Sequence, residues 1–251
     1  MINSNLQDIR QKIVETAIRC GRDPETIRLV AVSKKFSAAH IQEAIRAGQF
    51  LFGENYIQEA AQKKMEIGDS ASFHFIGHLQ SNKAKTAARI FQMIETIDRL
   101  KPAAALDKEL KLQGGTINVL VQVNIGQEPQ KSGVPPQDAE GLLKQLALLS
   151  NLKVRGLMTI PPYSDNPEQT RPHFRALRLL AEEMNRKGCF FDRTHVELSM
   201  GMSSDYTIAI EEGATLVRIG TALFGHRPEG QTASCETSEF PIIGTKTKGP
   251  S

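Results

Sequence analysis

Two adjacent lysines, Lys34 and Lys35, follow the run Arg28-Leu29-Val30-Ala31-Val32-Ser33. So apolar and β-branched a run reads as a strand buried on both faces. A helix signal follows at Ser37. An ammonium at such a strand end loses hydration unless it is paired, and burial lowers its pKa toward that of a nucleophilic amine. An amine of that kind condenses with an aldehyde or ketone. Two solvated lysines capping a strand would do neither, so the other polar residues must decide.

Two further stretches have the chemistry of anion sites. Ser199-Met200-Gly201-Met202-Ser203-Ser204 places small residues and hydroxyls ahead of a helix, where free backbone N–H groups favour a phosphate. Gly220-Thr221 offers the same at a short helix start. Taken singly, Ser203 or Ser204 would be a helix cap and Gly220 a chain turn. Taken together, in loops that follow consecutive strands, they point to phosphate. Arg218, just before the second loop, has a permanently charged guanidinium that only donates hydrogen bonds. It suits an unprotonated ring nitrogen, a phosphate or a carboxylate, with a structural ion pair as the competing role.

The elements that must position these groups alternate along the whole chain. Strands are predicted at 27–33, 49–53, 73–77, 91–97, 117–123, 152–158, 194–198 and 215–219, each followed by a helical pattern except the last. Eight strand-then-helix units predict an α/β fold, a single (β/α)8 TIM-type barrel with right-handed crossovers. The eighth strand is followed only by the short apolar turn Ala222-Leu223-Phe224-Gly225. The N-terminal amphipathic helix, with Leu6, Ile9, Ile13, Ala17 and Cys20 in helical spacing and Ser4 or Asn5 as N-cap, fills the vacant place in the outer ring. In such barrels function gathers where strands end. Here those ends read Ser33-Lys34-Lys35, Gly53-Glu54-Asn55-Tyr56, the run from Gly77 to Lys83, Asn124, Met158-Thr159, the run from Ser199 to Asp205, and Arg218 to Thr221. Polar groups collect there and almost nowhere else within the strands.

The chain of 251 residues has 31 basic against 28 acidic residues, a balance too even to argue for a nucleic-acid or membrane surface. Cys20, Cys189 and Cys235 lie far apart without a CxxC, which predicts reduced thiols, a cytoplasmic protein and no metal site. The start, Met1 to Leu6, lacks a secretory signal pattern, and no apolar run approaches the roughly 20 residues of a membrane helix. The expected domains are a barrel over 1–227 and a flexible, disordered extension over 228–251. Phe240-Pro241-Ile242-Ile243 is the extension's one apolar spot.

A buried amine, a phosphate cradle and an arginine donor form the set that pyridoxal 5′-phosphate requires. The runs Ala31-Val32-Ser33-Lys34, Phe52-Gly53-Glu54-Asn55-Tyr56, His74-Phe75-Ile76-Gly77, Leu79-Gln80-Ser81-Asn82-Lys83, Leu198 to Ser203 and Val217 to Ala222 resemble the pyridoxal phosphate homeostasis protein family, over about residues 5–227. That family is related to the N-terminal barrel of bacterial alanine racemases. The resemblance implies a fold-type III barrel holding the cofactor as a Schiff base on Lys34, with Lys35 peripheral. It implies phosphate contacts at Ser203, Gly220 and Thr221, a ring-nitrogen contact at Arg218, and wall contacts at Asn55, Met158 and Ser199. His78 departs from the proline expected there and reads as an exposed loop residue.

The resemblance further implies a cofactor buffer or carrier in vitamin B6 homeostasis rather than an enzyme. The expected partners are pyridoxal phosphate and apo forms of enzymes that use it, with no nucleic acid or membrane, and the chain is expected to be a monomer. Two features of the sequence agree. The barrel is expected to take up nearly all of the 251 residues, with no room among them for the β domain that gives racemases their second acid/base tyrosine, and they include only Tyr56, Tyr163 and Tyr206. An arginine at the ring nitrogen would also weaken the electron sink that a carbanion needs. The alternatives are a small-amino-acid racemase using Lys34 and a loop residue such as His78, or a cofactor-free Schiff-base aldolase.

Overall fold

In the computed structural model, residues 1–225 are described. Eight parallel strands close into a barrel in sequence order. They are β1 (Arg28–Val32), β2 (Leu51–Glu54), β3 (Ser72–Phe75), β4 (Met93–Ile97), β5 (Ile117–Gln122), β6 (Leu152–Met158), β7 (Glu197–Ser199) and β8 (Leu216–Ile219). The helices are α1 (Ile2–Arg19), α2 (Ala38–Arg46), α3 (Ile57–Ile67), α4 (Ala84–Ile90), α5 (Leu100–Gln113), α6 (Ala139–Leu146), α7 (Arg171–Arg186), α8 (Tyr206–Glu211) and α9 (Thr221–Phe224). The expected architecture is therefore present. The 227/228 domain boundary, Cys235 and the Phe240–Ile243 spot lie outside the described residues.

Strand alternation separates two apolar layers. Phe52, Phe73, Ile94, Val119, Leu157 and Val217 join the core between barrel and helices. Val30, Met93, Leu120, Met158 and Leu216 fill the barrel itself. Their alternates His74, Glu95, Ser199 and Arg218 are also buried. The interior therefore holds a polar layer inside the strands, not only at their ends, which corrects the sequence expectation.

Leu6, Ile9, Ile13 and Ala17 bury the inner stripe of α1, while Cys20 is exposed. Asn5 is no cap: the helix begins at Ile2, and Asn5 Nδ2 donates to the Leu223 carbonyl at 2.9 Å, docking α1 on α9. Phe36 and Phe224 close the same seam, ring centroids 4.9 Å apart. The N-terminal helix thus fills the outer ring beside the short α9, as expected.

Candidate functional site: the mouth of the barrel

Strand β1 ends in a tight turn. The Phe36 N–H donates to the Ser33 carbonyl at 3.1 Å, and Lys35 has φ +66°. A positive φ at the third residue alone is the pattern of a type II turn, where glycine or asparagine is usual. Lysine there costs roughly 1–2 kcal/mol of backbone strain. Lys35→Val, whose branched Cβ fits that region worse, is expected to lower stability by a further ~1 kcal/mol. Lys35→Gly should be tolerated, and urea titration of both variants checks the contrast.

Ser33 sends its hydroxyl outward to Glu54 Oε1, at 2.7 Å. Alternation then leaves Lys34 on the inner side at the mouth, half-buried, while Lys35 is exposed. β1 pairs with β8 in a register that sets Ala31 against Ile219, so the loop after β8 rises beside the Lys34 turn. A Cβ on Gly220 would lie 3.3 Å from both Cβ and the carbonyl oxygen of Val32, a tight contact that glycine avoids where the two backbones approach.

The two anion loops meet: Ser203 Oγ accepts from the Ala222 N–H at 3.4 Å. Neither Ser203 nor Ser204 caps α8. Asp205 stands at that position, its carboxylate accepting from the Met202 N–H at 2.6 Å. Burial pushes the Asp205 carboxyl up.

Below the mouth lies the charged layer. Arg218 donates to Ser199 Oγ and to the Thr159 carbonyl, the latter at 2.8 Å. Ser199 spends its single O–H on Glu95 Oε2, at 2.5 Å, and can only accept from Arg218. The other Glu95 oxygen takes His74 Nδ1 at 2.6 Å. Burial would raise the Glu95 pKa, but His74, the Arg218 charge and the Ser199 hydroxyl together bring it below the usual range. Burial pulls the Arg218 pKa down, opposed by Glu95 and Asp205. Because Glu95's folded pKa lies below its unfolded one, its contribution is present above the ordinary glutamate range and fades as pH falls through the folded value. Glu95→Gln is therefore expected to flatten the acid limb of the stability curve, measured by urea unfolding at successive pH values.

Asn55, one residue beyond β2, has a buried Oδ1 with no hydrogen-bond partner. Its backbone is wedged against Gly77, where a Cβ would fall 2.1 Å from the Asn55 carbonyl oxygen. Met158 is fully buried in the barrel core. The structure thus gathers Lys34, Asn55, Ser203, Gly220 and Thr221 at one end of the barrel, with Met158, Ser199 and Arg218 on its interior side. His78 is exposed, and its Nε2 accepts from Arg99 at 2.7 Å.

Sequence reasoning missed His74 and Glu95. The available signal was an ionisable residue set among apolar neighbours in each of two strands, His74 between Phe73 and Phe75 and Glu95 after Met93-Ile94. It also missed Lys63 on α3, which occupies the buried stripe with Ile57, Ala60 and Ile67. Among the described residues, no group of three or more His, Cys, Asp or Glu is arranged to hold a metal, and no helix is long and apolar enough to cross a membrane.

A closed parallel barrel with a strand-one lysine and paired loops after strands seven and eight defines the class. Residues 4–228 match the family model described as alanine racemase, N-terminal domain. Solved alanine racemases share the fold: that of Clostridium difficile superposes with a TM-score of 0.69 at 16% identity, over 90% of this chain and 57% of that one. Much nearer in sequence are the pyridoxal phosphate homeostasis proteins of Pseudomonas aeruginosa and Escherichia coli K12. Both are 44% identical, over 93% and 90% of this chain and 99% and 97% of theirs. PipY of Synechococcus elongatus, solved with and without pyridoxal phosphate, is 37% identical with a TM-score of 0.79, over 90% of this chain and all of that one. The chain belongs to the pyridoxal phosphate homeostasis protein family.

Proposed function

We propose that this protein binds pyridoxal 5′-phosphate at the barrel mouth and serves in vitamin B6 homeostasis as a buffer or carrier rather than a catalyst. The observation that carries this reading is the convergence of a half-buried lysine, the orphaned Asn55 Oδ1 and the Ser203–Ala222 junction beside Gly220. These residues fit the cofactor. Lys34 supplies the primary amine, Ser203 and the Gly220–Thr221 backbone supply donors for a phosphate, and Arg218 supplies a donor for the ring nitrogen. Met158 and Ser199 form the inner wall, and Asn55 adds an acceptor. When bound, the cofactor supplies an aldehyde for the lysine and a ring that can delocalise electrons.

Arg218 does not give up a proton, so a ring nitrogen held by it would stay unprotonated and the ring would be a weak sink. None of the three tyrosines belongs to the interior set: Tyr56 and Tyr163 are exposed and Tyr206 is half-buried at the start of α8. His78, the racemase alternative's second acid/base, is held outside by Arg99. These placements favour holding and releasing the cofactor over turning substrate over. The partners this implies are apo forms of pyridoxal phosphate enzymes in the cytoplasm, met by a monomer.

The test is a visible spectrum of the purified protein with and without added pyridoxal phosphate, followed by α-proton exchange of alanine and serine in deuterated buffer. Visible absorbance with no exchange is expected. A protein that gains no absorbance contradicts the binding, and rapid exchange contradicts the carrier role.

A further inference from the structure

Behind the Lys34 turn, on the outer side of β1 and β2, lies a buried charged cluster that touches the turn at three points. Lys63 Nζ donates to the Ser33 carbonyl at 2.7 Å, to Glu54 Oε1 at 2.6 Å and to Glu59 Oε1 at 2.6 Å, which uses all three ammonium protons. Glu54 Oε1 also accepts the Ser33 hydroxyl. Glu59 Oε1 accepts the Lys35 N–H at 2.6 Å. The residues on both sides of Lys34 are thus bonded to one cluster, and the second of them is held in the left-handed region.

A buried ion pair contributes little net stability against an apolar replacement, so stability alone is a poor reason to place Lys63 there. Its geometry gives a better one. A half-buried amine meets a bound aldehyde more readily when its backbone is fixed, and the clamp removes the freedom of a turn that lysine disfavours at its third position. We propose that Lys63 and Glu59, with Glu54 between them, are positioning residues that pre-organise the Ser33–Phe36 turn and so aim the Lys34 amine into the barrel mouth. The inference rests on the proposed cofactor site, and it deepens that site by assigning the residues that hold its amine in place.

Glu59 gives the cleaner test, because it lies partly exposed on α3 and alanine is a good helix former. Glu59→Ala removes the acceptor for the Lys35 N–H, whereas Glu59→Gln keeps an oxygen there. Losing one such bond is worth about tenfold in an equilibrium. Amide exchange of the apoprotein at Lys35 should therefore speed up about tenfold in Glu59→Ala and Lys63→Met but stay near wild type in Glu59→Gln. Pyridoxal phosphate affinity, read from the visible band, should fall by about the same factor in the first two and recover in the third.

Unchanged exchange and affinity in Glu59→Ala would overturn the proposal. So would faster exchange with wild-type affinity, since the clamp would then not govern Lys34. If Lys63→Met does not fold, Glu59→Ala and Glu59→Gln decide. A wild-type protein that takes up no pyridoxal phosphate would count against the functional reading, and the apoprotein exchange pattern would still decide the clamp.

Discussion

Lys34→Ala should abolish the visible absorbance of the protein with pyridoxal phosphate, and dialysis should strip the cofactor completely. Lys35→Ala should keep both the absorbance and the cofactor. The contrast is large because the two side chains leave the turn in different surroundings, one half-buried at the mouth and one exposed. Removing an exposed lysine changes little beyond local charge. Removing the amine deletes the only bond-forming group assigned to the site. Ser203→Ala, which removes a proposed phosphate contact, is expected to be milder, weakening retention without ending it.

Arg218→Ala is expected to have the largest effect on stability. The guanidinium is buried, donates to Ser199 and Thr159, and offsets Glu95 through the Ser199 hydroxyl. Truncation leaves a buried carboxylate short of one of its partners, a loss of roughly 3–5 kcal/mol. In a domain of this size that corresponds to a fall in Tm on the order of 10 °C. The Glu95→Gln, Arg218→Ala double variant should recover part of the loss, because the residues act through one network. Full additivity of the two losses in urea titrations would show that Arg218 and Glu95 do not communicate.

The barrel was legible because most strands carry a β-branched or aromatic run and the longer helices an apolar stripe. The limits of the elements were less so, for local reasons. Strand seven, expected from Thr194, begins at Glu197 because Asp192 Oδ1 accepts the N–H groups of Thr194 and His195 and the Thr194 hydroxyl, turning that stretch into a loop. Strand two begins at Leu51, not Gln49, because the buried Gln49 amide donates to the Leu29 and Leu51 carbonyls. Phe91 reads as strand but closes α4, its N–H bonded to the Ala87 carbonyl.

The site divides in the same way. Lys34, Asn55, Ser203, Gly220 and Thr221 are visible as strand-end residues, and Arg218 as a charge in an apolar strand. The partners that hold them were hidden by spacing. Glu59 and Lys63 form an i, i+4 pair of the kind that normally faces solvent, and only the packing of α3 onto β1 and β2 turns Lys63 inward. His74 and Glu95 meet from the neighbouring strands β3 and β4, a pairing that only the register of the two strands brings about.

The proposed function requires the Lys34 amine to be the group that takes the cofactor aldehyde. Reduction of the loaded protein with borohydride, followed by peptide mass mapping, tests this directly. A single pyridoxyl label on Lys34 is the predicted result. Label on Lys35 or Lys63, or no label on a protein that shows the visible band, would contradict it.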